Sequence, residues 1–256
     1  MICYATFNQQ LQALKQIVPA IAEIIDRLDP ETRHHCERLA IAAQKFGEYL
    51  ALSARDRQLL VWGAYLHDIG KVAIPLEILL KPTTLTAAER QAIQTHATIG
   101  AAVCPLPASM REVAEVVRHH HELWNGTGYP DCLIGEETPY LARVLQILDV
   151  YDALTHKRCY KRAYSPIEAI AILLIETTNG YYETNLIAEF MTFLEIEDHF
   201  GDRSSIAEFM THTNISNRAT YDRKYPVNLF EEFENDSLQE WERLFSLSSD
   251  AINILG

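Results

Sequence analysis

The chain has 256 residues, 48% of them hydrophobic, and a formal net charge of −13. This length supports one substantial core, or one core with an appendage. The acidic balance argues against a DNA or RNA polymer as partner, but leaves room for a small anionic ligand if bound cations supply a local positive focus.

Apolar residues recur at helical spacing and strand-like alternation is scarce, which predicts an all-α protein. Leu11, Leu14, Val18, Ile21, Ile25 and Leu28 outline a first helix, kinked at Pro19 and expected to pack on the core as an N-terminal element over residues 1–29. Asp29-Pro30 then reads as an N-cap followed by a first-turn proline. The helix it opens carries Glu31 and His35, four residues apart and so on one face. Ser53 with Asp56 resembles a capping box for the apolar run Leu59–Leu66, which closes on His67-Asp68-Ile69-Gly70-Lys71. Gly70 suits a helix end because it tolerates positive φ. Thr86 with Glu89 caps a helix containing His96, and Ser109 with Glu112 caps one ending in His119-His120-His121-Glu122.

The run Asn125-Gly126-Thr127-Gly128-Tyr129-Pro130 breaks the helical pattern. Pro139 begins an apolar helix through Leu145 and Leu148 to Asp149 and Asp152, which runs out into the basic stretch from Lys157 to Arg162. Ser165-Pro166-Ile167-Glu168 opens one more helix. Residues 195–256 turn acidic and polar, with a final amphipathic helix around Trp241, Phe245 and Leu247. This short helical appendage is expected to dock on the core or on a second subunit, which keeps a homodimer in view. No apolar stretch has the length of a membrane span. The start from Met1 to Phe7 lacks the pattern of a secretion signal, and the five cysteines show no Cys-x-x-Cys spacing. The expectation is a cytoplasmic protein with reduced thiols and no membrane partner.

Five predicted helices carry histidine or carboxylate at or near an end: Glu31/His35, His67/Asp68, His96, His120/His121 and Asp149. Helical bundles build metal sites from such convergent clusters. An adjacent His-Asp pair is costly to bury unless its polar atoms find partners. A metal ion satisfies both, with the Asp68 carboxylate free to bridge. Adjacent residues on a helix diverge by about 100°, so His120 and His121 are expected to serve two different ions. Mixed nitrogen and oxygen ligands suit iron or manganese first, with zinc or nickel as further options. Each feature has a plainer reading. His67-Asp68 can bond to backbone, and lone histidines such as His35 and His96 can be satisfied core residues. Glu31 suits the first turn of a helix, and Arg158 and Lys161 suit a solvated helix end. His156, His199 and His212 read as surface residues, and Cys36, Cys132 and Cys159 as packing.

His67-Asp68-Ile69-Gly70-Lys71 is similar to the signature of the HD phosphohydrolase superfamily. His120-His121-Glu122 followed by Asn125-Gly126-Thr127-Gly128-Tyr129-Pro130 resembles the corresponding element of its HD-GYP subfamily. Asp149-Val150-Tyr151-Asp152-Ala153-Leu154-Thr155 with Arg158-Cys159-Tyr160-Lys161 resembles that subfamily's last motif. The resemblance implies an HD-domain helical bundle over residues 30–194, with two or three divalent ions at its centre. It implies metal ligation by Glu31, His35, His67, Asp68, His96, His120, His121 and Asp149. It also places Lys71 near the scissile phosphate, and Arg158 and Lys161 on the substrate. Gly128 and Tyr129 read as both turn and pocket wall, and Asp152 as a group orienting Lys71 or a bound water.

Members of the family hydrolyse the bacterial second messenger cyclic di-GMP to linear pGpG or GMP. The alternatives are another cyclic dinucleotide, such as cyclic GMP-AMP, or a non-catalytic sensor signalling through residues 195–256. Asn125 stands where the family pattern usually has Asp, and is expected to alter only loop hydrogen bonding.

Overall fold

The computed structural model describes residues 30–104, 111–156 and 163–197. The expected helix over 1–29, Arg158, Lys161, and the appendage from residue 198 onward lie outside those residues. Among the described residues the fold is helical, with a single isolated bridge between Asn125 and Ile134. The helices are α1 (Pro30–Tyr49), α2 (Ala54–Leu66), α3 (Leu76–Leu79), α4 (Ala87–Val103), α5 (Arg111–His119), α6 (Tyr140–Thr155), α7 (Pro166–Thr178) and α8 (Thr184–Ile196).

α2 and α6 form the centre. Every residue from Leu59 to Leu66 is buried, as are Val144, Leu145, Ile147 and Leu148 on α6. A helix apolar on all sides must be surrounded by other elements. Here α1 packs against both, α5 covers α2, and α7 adjoins α6. α1 contributes the stripe Cys36, Leu39, Ala43 and Phe46, at the three- and four-residue spacing of one helical face. Phe46 meets Phe190 and Phe193 of α8 at ring-centroid distances of 5.2 and 5.1 Å. A smaller cluster of Ile74, Leu85 and Ile93 fastens the segment after α2 to α4.

The helix starts follow local chemistry. Thr86 and Ser165 each form a full capping box, with Glu89 and Glu168. Ser53 gives only half of one: its Oγ accepts from Asp56 N at 3.1 Å, while the Asp56 carboxylate takes the Ser53 hydroxyl rather than the backbone N–H. Asp29 and Ser109 lie outside the described residues, and Glu112 pairs with Arg55 at 2.9 Å. Replacing Ser165 with alanine removes one of the two reciprocal bonds at the start of α7. The expected cost is about 1 kcal/mol, read as a lower urea midpoint with an unchanged m-value.

Gly70 departs from the reading of it as a positive-φ helix stop. The positive-φ glycines among the described residues are Gly126, Gly135 and Gly180. Gly70 instead lies in a 3-10 turn, Ile69–Ala73, packed against α4. A Cβ there would fall 2.0 Å from the His96 carbonyl oxygen and 2.6 Å from Gly100 N. Its missing side chain brings α4 onto the end of α2.

Candidate metal centre

The histidines are fixed by what their Nδ1 atoms touch. His67 Nδ1 lies 2.8 Å from Ala64 O, His96 Nδ1 2.7 Å from Ile93 O, and His120 Nδ1 2.7 Å from Val117 O. A carbonyl can only accept, so each Nδ1 carries a proton, and each ring in its neutral form presents its Nε2 lone pair. His35 is held the same way by a carboxylate, with Nδ1 2.6 Å from Asp152 Oδ2.

These four rings turn their Nε2 atoms inward. His35 Nε2 lies 3.1 Å from Asp149 Oδ1, and His67 Nε2 lies 3.2 Å from Asp68 Oδ2 and 3.9 Å from Asp149 Oδ1. His96 Nε2 is 3.5 Å from Asp68 Oδ1 and 3.4 Å from His120 Nε2. The donor atoms fall into three sets, each within 4.8 Å: His96/His120/His121, His35/His67/Asp149 and His67/Asp68/His120. The sets overlap at His67 and His120, so seven residues from five segments share one centre.

Two features fit this donor set to cations. His35 Nε2 and His67 Nε2 are buried and make no well-aligned hydrogen bond, although carboxylate oxygens of Asp149 and Asp68 stand 3.1 and 3.2 Å away, a costly arrangement for neutral rings unless a cation lies between the donor atoms. His96 Nε2 and His120 Nε2 also face each other as two lone pairs. Burial, above all, holds the His96 pKa down to about 4 and that of His120 to about 3, so neither ring carries the extra proton that would relieve this at neutral pH. Burial and the neighbouring rings likewise push His121 well below its usual value. Burial would raise Asp68, but His67 and Lys71 outweigh it, and His35 and His67 do the same for Asp149; both carboxylates stay ionised. For His35, burial lowers the pKa, yet Asp152 and Asp149 outweigh it and the net shift is upward. Neutral His96, His120 and His121 beside the ionised Asp68 and Asp149 are in the protonation states that bind divalent metals, and His35 would give up its Nε2 proton to a bound ion.

Several expectations change. Asp152 does not face Lys71; it grips His35 and Arg38, while Lys71 Nζ sits 2.6 Å from Asp68 Oδ2. α5 stops at His119, so the helical divergence expected of His120 and His121 does not apply. Their ring centroids are 3.9 Å apart, and both join His96 in one set. His96 and Asp149 lie within α4 and α6 rather than at their ends. His156 is not a surface residue: the turn ending α6 brings its Nδ1 3.1 Å from Asp152 Oδ1. Cys36 is buried, but Cys132 is exposed, at φ 56°. Glu31 starts α1, and its side chain lies outside what the structure describes.

The loop after α5 forms one wall. Tyr129 stacks on His121 with centroids 4.8 Å apart and 30° between planes. A Cβ on Gly128 would fall 2.3 Å from Leu123 N, so only glycine lets the loop fold back this tightly. Buried Glu122 accepts from Asp131 N at 2.7 Å and Leu133 N at 3.1 Å, and Gln146 donates to its backbone carbonyl. Sequence reasoning missed Glu122, Gln146 and Arg38 as organising residues. The available signals were a glutamine inside the apolar run of α6 and an arginine one turn beyond His35. Asn125 Oδ1 accepts from Thr127 N at 3.1 Å, and its Nδ2 donates to Asn179 O at 3.0 Å, a donation that Asp could not make.

Comparison with known proteins is consistent with this geometry. The HD domain family profile matches residues 19–186. A probable cyclic di-GMP phosphodiesterase of Vibrio cholerae is 34% identical over 211 residues, covering 74% of this chain and 47% of that protein. A 3'3'-cGAMP-specific phosphodiesterase of the same species is 36% identical over 160 residues, covering 62% of this chain and 35% of that protein. The chain thus spans less than half the length of these relatives. In fold it is similar to a solved Vibrio cholerae cyclic GMP-AMP-specific phosphodiesterase, with a TM-score of 0.53 at 18% identity over 86% of this chain and 56% of the other. Among the described residues, no helix is long and apolar enough to cross a membrane.

Proposed function

The chain belongs to the HD domain family, and from that premise we propose that it is a metal-dependent phosphodiesterase hydrolysing cyclic di-GMP to pGpG or GMP. The observation that carries this reading is the convergence of His35, His67, Asp68, His96, His120, His121 and Asp149, with the Nε2 lone pairs of His96 and His120 only 3.4 Å apart. The donor chemistry favours iron or manganese, two or three ions in all, and Glu31 is assigned to the third where one is held. When bound, such ions supply Lewis acidity that lowers the pKa of water and neutralises charge on a phosphodiester.

The chain's own residues do the rest. Lys71, with 18% of its side chain exposed and paired to Asp68, offers a cation at the rim for a phosphate oxygen. Asp68, ionised and within reach of both His67 and His96, ties the two halves of the donor set together. Tyr129, braced on His121, gives an aromatic edge for the substrate, and Gly128, where a Cβ would strike the Glu122 and Leu123 backbone, lets the loop fold back close enough to place it. Arg158 and Lys161 are assigned to the substrate phosphate or guanine, for which a planar fork and a point charge suit different oxygens. The free thiols of Cys36, Cys104 and Cys132 support a cytoplasmic setting.

A second reading keeps the site and changes the substrate to 3'3'-cGAMP, favoured by the 36% identity to a phosphodiesterase named for that specificity. The full chain, incubated anaerobically with Mn²⁺ or Fe²⁺ and either dinucleotide, decides by chromatography of the products. Faster release of pGpG or GMP from cyclic di-GMP supports the first reading, and preferential cleavage of 3'3'-cGAMP the second. Binding without turnover in metal-replete protein overturns both in favour of a sensor.

A further inference from the structure

The centre is not oriented evenly. His67, His96 and His120 each take their orientation from a backbone carbonyl three residues earlier in the chain. Those partners are neutral and fixed by the helix itself. Among these four rings, His35 alone depends on a charged side chain from another helix, Asp152 of α6, 117 positions away.

Asp152 is in turn held by Arg38. Arg38 Nε lies 2.9 Å from Asp152 Oδ1 and Nη2 2.8 Å from Oδ2, a two-point grip that fixes the plane of the carboxylate. In that plane Oδ2 also meets His35 Nδ1, and His156 Nδ1 closes on Oδ1 at 3.1 Å. The spacing is reciprocal: His35 and Arg38 are three apart on α1, and Asp149 and Asp152 are three apart on α6. The pairs His35–Asp149 and Arg38–Asp152 therefore interlock on facing helix surfaces. One face of α6 supplies both a donor atom of the centre and the group that aims the opposing histidine.

We propose that Arg38 and Asp152 are positioning residues that set the metal affinity of the half-site built from His35, His67 and Asp149, while leaving the half-site of His96, His120 and His121 unaffected. The proposal rests on the metal-centre reading above and adds a division of labour within it. Partners that hold the far nitrogen of a metal-binding histidine fix its tautomer and raise its basicity, and their loss typically weakens metal affinity about 10–100-fold. The rival is a pair that merely pins α1 to α6, whose loss would lower stability and leave the donor set as it was.

The test titrates the metal-free full chain with Mn²⁺ against a fluorescent chelator, alongside thermal unfolding. In Asp152→Asn the side-chain NH₂ takes the place either of Oδ2, leaving His35 Nδ1 and Arg38 Nη2 without an acceptor, or of Oδ1, leaving Arg38 Nε and His156 Nδ1 without one. The two-point grip of Arg38 that fixes the group facing His35 is broken in both cases. One class of Mn²⁺ site is expected to weaken about 10–100-fold, with the other unchanged. His35→Ala is expected to weaken the same class, and the double variant no further than His35→Ala alone, since the two act through one path. Arg38→Lys, which keeps the charge but loses the fork, is expected to fall between wild type and Asp152→Asn. It carries the test if Asp152→Asn does not fold.

Unchanged Mn²⁺ affinity in a folded Asp152→Asn or Arg38→Lys chain overturns the proposal and leaves the phosphodiesterase reading standing. Additive losses in the double variant, or equal weakening of both classes, also overturn it. A wild-type chain that takes up no Mn²⁺, Fe²⁺ or Zn²⁺ overturns the metal-centre reading beneath it.

Discussion

Replacing Asp68 or His67 with alanine should abolish hydrolysis of cyclic di-GMP and lower the divalent-metal content of the purified chain together. Asp68 is 4% exposed, and its two oxygens reach 3.2 Å from His67 Nε2, 3.5 Å from His96 Nε2 and 2.6 Å from Lys71 Nζ. The alanine variant therefore removes the carboxylate that lies between the two half-sites, within reach of His67 and His96, and leaves Lys71 without its anion. Loss of one group that stabilises developing charge typically costs about 10²–10³ in kcat. Here metal would leave as well, so the expected fall exceeds about 10³-fold. Asp68→Asn is the control for folding, because it keeps the volume of the side chain while surrendering its charge. Its metal content should fall with its activity while its unfolding transition stays cooperative. Elemental analysis of anaerobically purified protein and product chromatography read the two quantities. Full activity in either alanine variant would sink the catalytic assignment.

How much of this centre could be read from the chain alone varies with the kind of information each residue carries. His67-Asp68 and His120-His121 stand in compact motifs. The buried faces of α2 and α6 follow from apolar periodicity, so the elements bearing these residues were legible. What the sequence could not convey was relative placement. Asp152 lies one turn from Asp149, and nothing in α6 says whether its carboxylate meets Lys71 or a residue of α1; packing of α1 against α6 decides for His35 and Arg38. The misreading of His120 and His121 as diverging had a local cause. It assumed that α5 continued, whereas the helix stops at His119 and the two rings come together in the turn beyond it. From sequence His156 reads as a surface residue, because polar residues after a helix usually are, but the turn folds it back over Asp152. Each miss concerns a tertiary contact that local propensity does not encode.

Gly70 offers the sharpest test of that placement, because its role is steric and separable from any ligand chemistry. A Cβ at this position would lie 2.0 Å from the His96 carbonyl oxygen, 2.8 Å from its carbon and 2.6 Å from Gly100 N. All three are backbone atoms of a well-packed helix, so no side chain can swing aside to relieve the overlap. Gly70→Ala must therefore push α4 away from the end of α2. Overpacking of this kind costs about 1–3 kcal/mol, occasionally more, and the rigidity of the contact argues for the upper end. The displacement also carries His96 away from Asp68 and His120, which stand 3.5 and 3.4 Å from its Nε2. Two readouts should move together: an unfolding free energy lowered by about 2–3 kcal/mol, read from a reduced urea midpoint at unchanged m-value, and weaker Mn²⁺ binding at the His96/His120/His121 set. Gly135→Ala provides the contrast. Its Cβ would meet nothing closer than 3.7 Å, although its φ of +57° adds local strain, so it should lose some stability and keep its metal affinity. If Gly70→Ala bound Mn²⁺ as tightly as the wild type, the close approach of α4 would not be what brings His96 into the centre.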